Sequence, residues 1–160
     1  MQARLAFKAS LRTSGLTLTE VLLVVAILGV LTAVALPKYD NYRERVKQNQ
    51  AAQDITIIQA MIKNHQIDNG ALPATLAEVG TASKTDPWGR PYVYQELVSA
   101  NGVGKARKDR KLNPLNSDFD LYSRGKDGLS RTQLTNKESL DDVVRANDGA
   151  YIGLAADYAR

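Results

Sequence analysis

The chain reads first as a long apolar run, then as a polar segment that turns into an apolar stripe of helical period. From Val21 to Leu36 no side chain is charged and only Thr32 is polar. Extended back to Leu16, the run holds about 20 residues, a helix of roughly 30 Å, the thickness of a bilayer core. Lys38 to Gln50 is strongly polar, with Arg43, Glu44, Arg45 and Lys47. From Ile55 onward, Ile58, Met61 and Ile62 recur at three- and four-residue spacing, the mark of one buried stripe. The pattern predicts one helix from about Thr17 to Asp68, kinked or locally melted at Pro37, where a backbone donor is missing. Asp68-Asn69-Gly70 ends it, with glycine as a left-handed cap.

Beyond Gly70 the signals shorten. Residues 71–85 read as a loop with a short helix near Leu76–Val79. Asp86-Pro87-Trp88-Gly89 marks a turn, and Tyr92-Val93-Tyr94 alternates as a strand does. Trp88 is expected to cover the core between helix and sheet. From Leu97 to Ser117 the pattern is lost. Ser117 to Ser123 alternates again and predicts a second strand, antiparallel to the first. Arg124-Gly125-Lys126-Asp127-Gly128 is a turn signal. The remainder, 129–160, shows little periodicity, with a short strand and turn expected within 140–149. One soluble domain of roughly 120 residues follows the apolar run, enough for one modest core.

Charge and composition sharpen this picture at a few places. Arg4, Lys8 and Arg12 precede the apolar run with no acid among them, which keeps that end cytoplasmic and places the bulk of the chain outside. The net charge is +4, and without these three it is +1, so the basic balance is weak evidence for nucleic acid. Lys105 to Lys111 packs five basic residues and one acid. It reads as a solvated loop tip, with an electrostatic patch for a neighbouring subunit or acidic partner as the alternative. It has no aromatic residue to stack bases, and no nucleic-acid partner is expected. His65, the only histidine, reads as structural or solvated. The chain has no cysteine, so a thin exported core needs another staple, for which a metal is the usual substitute. No G-x-S-x-G, P-loop or H-E-x-x-H motif is present, and no enzyme is expected. Glu20, near the start of the apolar run, is costly at that depth and calls for a partner.

A short basic leader ending in Gly15, apolar residues from Leu16 and a glutamate five places after the glycine together resemble the signal of type IV prepilins and pseudopilins. The resemblance implies cleavage between Gly15 and Leu16 by a prepilin peptidase, methylation of the Leu16 amine, and a role for Glu20 in subunit assembly. It divides the chain into a leader (1–15), a transmembrane and filament-core helix (16–37) and a periplasmic globular domain (38–160) that includes the helix to about residue 68. Asp68-Asn-Gly-Ala-Leu-Pro73, Asp86-Pro-Trp-Gly-Arg-Pro-Tyr92 and Phe119-Asp-Leu-Tyr-Ser-Arg-Gly-Lys-Asp-Gly128 are similar to the major pseudopilin of type II secretion systems.

That likeness implies an α+β, type IV pilin-like lollipop: a long N-terminal helix packed on a small antiparallel sheet with an irregular C-terminal loop. It implies one calcium ion in that loop, held by Asp127, the backbone carbonyl of Arg124 and a carboxylate from Asp141 or Asp142. The implied setting is the Gram-negative inner membrane, then a periplasmic pseudopilus built from copies of the chain. Minor pseudopilins, the inner-membrane assembly platform and secreted substrates are the implied partners. The insertion 97–117 and the tail 143–160 have no place on the family pattern. A type IV pilin or minor pilin is the nearest alternative, though the chain lacks the usual C-terminal cysteine pair; a membrane-anchored periplasmic binding module is the other.

Overall fold

The computed structural model describes residues 15–98 and 104–159; residues 1–14, which hold most of the expected leader, lie outside that range. The chain divides into two compact units, Met1–Asn41 and Tyr42–Arg160. Helix α1 runs from Leu18 to Asn69 and is unbroken at Pro37, so the expected local melting is absent. Proline there removes the hydrogen bond to the Ala33 carbonyl only. In hydrocarbon, further unpaired backbone groups each cost several kcal/mol, which favours keeping the helix intact. Thr32 spends its hydroxyl on the Leu28 carbonyl one turn back, so the one polar side chain of the run is satisfied locally. In the first unit the apolar side chains are exposed throughout, Val21 to Leu36 included.

In the second unit α1 buries Ile55, Ile58 and Ile62 of the stripe that the spacing predicts, together with Ala51 one turn earlier, while Met61 faces outward and is exposed. Four antiparallel strands follow in the order β1-β2-β3-β4. They are β1 (Val93–Glu96), β2 (Phe119–Ser123), β3 (Val143–Ala146) and β4 (Tyr151–Leu154), and a short α2 (Ala155–Tyr158) closes the chain. The fold is α+β, a long N-terminal helix packed on a small antiparallel sheet, as expected. The expected helix at Leu76–Val79 is instead a run of turns, in which the Gly80 and Thr81 N–H groups donate to Ala77 and Leu76. Gly80 ends it at φ +71°, a conformation that no continuing helix shares.

The tail, which has no place on the family pattern and reads only as a short strand and turn within 140–149, supplies half the sheet. Tyr122 and Ser123 pair with Val144 and Val143, and β3 pairs with β4 from Val143↔Leu154 to Ala146↔Tyr151. Strand alternation sends successive side chains to opposite faces, and here both faces are covered. Phe119, Leu121 and Val143 pack with Tyr92 against the α1 stripe. Val144 and Ala146 turn the other way and cluster with Leu115, Leu134 and Ala155, flanked by Tyr122, Tyr151 and Tyr158. Leu115 comes from the insertion, Leu134 from the following loop and Ala155 from the tail. The segments without a readable period therefore form a second core on the far side of the sheet.

Candidate functional site

Two places hold the residues singled out by sequence, one in each unit. In the first, Gly15, Leu16 and Thr17 precede the helix and are exposed. Thr17 is the N-cap of α1 and Glu20 its third helical residue. The Glu20 N–H donates to Thr17 Oγ1 (3.3 Å), while Glu20 Oε2 accepts from the Thr17 N–H (2.8 Å) and hydroxyl (2.7 Å). This reciprocal arrangement is a capping box. The signature Thr-x-x-Glu is legible in the sequence, and it gives Glu20 a local role beside the assembly role that the family resemblance implies. The cap engages Oε2 alone among the described residues, so Oε1 stays open to a further donor.

In the second unit the two aromatic-glycine motifs are locked together. Buried Asp86 accepts the N–H groups of Trp88 (3.0 Å) and Arg90 (2.9 Å) through Oδ1 and the Ser123 hydroxyl (2.5 Å) through Oδ2. Ser123 Oγ in turn accepts the Gly125 N–H (3.1 Å). The Arg90 guanidinium donates to the carbonyls of Gly125 (2.8 Å) and Lys126 (3.3 Å), capping the 124–128 turn. Trp88 lies half-buried against the helix-side core and donates its indole N–H to Glu44 of α1 (3.1 Å), the covering role expected of it.

Asp141 sits directly on this turn. Its Oδ2 accepts the Asp127 N–H (2.9 Å), Asp127 Oδ1 accepts from Leu129 (2.7 Å), and the Arg124 carbonyl accepts from Gly128 (3.2 Å). Gly125, at φ +59°, lets Asp141 come this close: a Cβ there would run into the Asp141 carbonyl and carboxylate. Gly125→Ala is expected to destabilise the domain by about 2–4 kcal/mol, from overpacking and left-handed strain together. A melt of the full chain in detergent, followed by the fluorescence of Trp88, checks this; an unchanged midpoint would show that the turn does not depend on the contact.

Asp142, the other acidic candidate, points elsewhere. It is fully buried, with Oδ2 taking Arg107 Nη2 (2.5 Å) and the Ser130 hydroxyl (2.6 Å). Burial pushes its carboxyl up to about 6, against the lowering by Arg107 and Ser130. The three aspartates thus divide into a surface pair, Asp127 and Asp141, and a buried residue engaged by arginine. The Arg124 carbonyl, Asp127 and Asp141 suit a hard cation that takes carboxylate and carbonyl oxygens. The described residues hold no cluster of three or more acidic or histidine side chains, so such an ion would draw its remaining oxygens from backbone or water.

The run 105–111 is not a plain loop tip. Ala106 and Arg107 are buried, while Lys105, Arg110 and Lys111 are exposed. Sequence gave no sign of a second buried arginine, Arg145. It grips Asp118 with two nitrogens (2.7 and 2.9 Å), donates to the Phe119 carbonyl (2.8 Å) and Gln59 (2.5 Å), and stacks over the Phe119 ring. Burial opposes ionisation of Asp118, but Arg145, Lys63 and the Phe119 N–H outweigh it and hold the carboxyl at about 2. This is a depressed carboxylate, so its contribution is present above the unfolded value near 4 and lost as pH falls from about 4 towards 2. Melting temperature is expected to drop by several degrees over that interval, and the drop to shrink in Asp118→Asn. An equal drop in the variant would assign the acid sensitivity elsewhere.

Comparison with known proteins gives relatives along most of the chain. A type II secretion system core protein G of Pseudomonas aeruginosa is 31% identical over 136 residues, covering 72% of this chain and 84% of that protein. Another of the same description from Aeromonas hydrophila is 28% identical over 142 residues, 76% of this chain and 88% of the relative. A fimbrial protein of Neisseria meningitidis is 29% identical over 153 residues, 89% and 85% of the two chains. No protein-family model matches, and no solved structure matches significantly.

Proposed function

The chain belongs to the family of the type II secretion system core protein G, and from that premise we propose how it works as a pseudopilus subunit. It is a structural protein that polymerises, not a catalyst. A prepilin peptidase removes residues 1–15 at the cytoplasmic face and methylates the new Leu16 amine. The chain then rests in the Gram-negative inner membrane, with its C-terminal domain in the periplasm. The assembly platform draws subunits out of the bilayer into a periplasmic filament, capped by minor pseudopilins, that moves folded substrate outward.

The observation that carries this reading is the helix segment 18–36. Its continuous apolar exposure far exceeds the few hundred Å² that a soluble monomer leaves open, so lipid or like helices must cover it. Its one carboxylate is held by the helix's own first turn. Glu20 can therefore wait near the membrane with Oε2 satisfied and offer Oε1 to the amine of an adjoining subunit. A charge-assisted bond of that kind sets register as well as energy, because a displaced neighbour leaves a carboxylate unpaired in lipid.

For the C-terminal loop the reading includes one calcium ion, held by Asp127, Asp141 and the Arg124 carbonyl. When bound, the ion neutralises the two carboxylates and joins the turn after β2 to the segment before β3. Asp142 is not among its ligands. Two oxygens of charge and few preset carbonyls suit a weak, extracellular type of site.

Deletion of the gene in its own host tests the assignment. Type II substrates should stay in the periplasm, and plasmid-borne wild type should restore their export. Normal export with loss of surface fibres or twitching would favour the type IV pilin reading that the Neisseria relatives raise.

A further inference from the structure

The other buried arginine of this domain, Arg107, holds Asp142, one of the two neighbouring acids expected to complete a metal site. Arg107 belongs to the 97–117 insertion, and its guanidinium is almost fully buried. Nη2 meets Asp142 Oδ2, Nη1 donates to Ser130 Oγ (2.8 Å), and the plane stacks 4.0 Å above the Tyr122 ring. Arg107 Nε and Asp142 Oδ1 are buried without a hydrogen-bond partner among the described residues, so the pair's own contact is the main one that compensates the buried carboxylate. The backbone around Arg107 is knitted in as well. Its N–H donates to buried Asp120, its carbonyl accepts from Leu115, and Lys108 exchanges hydrogen bonds with Thr132 and Leu134. One cation thus joins the insertion, the 129–134 loop and the start of β3. That is the task a calcium ion would perform by recruiting a carboxylate from the 141–142 pair.

We propose that the guanidinium of Arg107 is a built-in cation of the C-terminal loop, holding Asp142 in place of a divalent ion, so that this part of the domain stays closed without calcium. Physical chemistry supports the exchange. A guanidinium offers a planar fork of donors matched to carboxylate, and it is charged at any physiological pH. It is also covalently present, so closing the loop does not depend on free metal. The exposed Asp127–Asp141 turn remains for a metal, and the buried half does not need one. The proposal rests on the pseudopilin reading only for its expectation of calcium. Loop closure is read on the purified chain, independently of filament formation, so either can fail alone.

Hydrogen exchange of the full chain in detergent, read by mass spectrometry with millimolar calcium or excess chelator, tests it. Segments 106–109, 132–134 and 142–146 should exchange at rates within about threefold of each other in the two conditions. Any calcium effect should be confined to 125–129. Arg107→Met, which leaves Asp142 buried and unpaired, should speed exchange of those three segments by about a hundredfold or more, with or without calcium. If that variant does not fold, Arg107→Met with Asp142→Leu restores an uncharged fit and should recover protection. Opening of 142–146 in wild type on chelation would overturn the proposal, whatever the variants do. So would Arg107→Met exchange indistinguishable from wild type.

Discussion

Arg145→Met is expected to cost the domain about 3–5 kcal/mol, the range for removing one partner of a buried ion pair. Arg145 is the largest fully buried side chain, and three kinds of contact end on it. Methionine fills much of the volume but leaves Asp118 with only Lys63 and the Phe119 N–H, and strips the Phe119 carbonyl and Gln59 of a donor. The loss falls at the junction of α1, β2 and β3, so it is not confined to an edge. Against a total of about 5–15 kcal/mol, it would leave many molecules unfolded at growth temperature. Chemical denaturation of the full chain in detergent measures it, with Trp88, the only tryptophan, as reporter. Adding Asp118→Leu should return part of the loss, because it removes a carboxylate that has lost its bidentate partner. A midpoint shift equivalent to under about 1 kcal/mol in the single variant would show that Arg145 is a passenger.

The second large effect is on assembly. Glu20→Val should be made, inserted and cleaved, because an apolar residue only lengthens the apolar run. Filament yield should fall at least tenfold, since the neighbour's amine loses its partner in a medium where an unpaired polar group costs several kcal/mol. Loss of the capping box alone costs about 0.5–2 kcal/mol in a helix of this length and does not prevent its formation. Glu20→Gln separates the two roles. Its amide oxygen can still accept from Thr17, so the cap survives while the charge does not. Assembly should fail in both variants. Normal filaments from Glu20→Gln would reduce Glu20 to a helix cap.

How much of this the sequence disclosed depended on periodicity. The α1 stripe at Ile55, Ile58 and Ile62 is readable because one face of the helix is buried and the other is not, and β2 because Phe119 and Leu121 alternate with Asp120 and Tyr122, although both its faces are largely covered. β3 reads only as a short strand somewhere within 140–149, because both its faces are buried: Val-Val-Arg-Ala carries no alternation, and its charge looks like a solvent residue. β4 was hidden by its Gly153 and by intermediate exposure along its length. The insertion 97–117 lost its pattern for a related reason. Its contribution is a few anchors, Ala106, Arg107 and Leu115, set among exposed residues such as Lys105, Arg110 and Lys111. A basic run is most often a solvated face, and only the fold shows that Arg107 has a carboxylate waiting for it. The same fold separates Asp141 from Asp142, neighbours that no sequence argument could rank as ligands. Alternate exposure along the chain puts one on the turn and buries the other.

The most direct test of the central claim is whether the processed chain polymerises through its N-terminal helix. Co-expression with the prepilin peptidase and the assembly platform, followed by shearing, electron microscopy and mass analysis, reads this in one experiment. The account predicts filaments whose subunits begin at methylated Leu16, with the apolar helices packed at the axis. A chain that keeps its first 15 residues and remains a monomer in the inner-membrane fraction would contradict it.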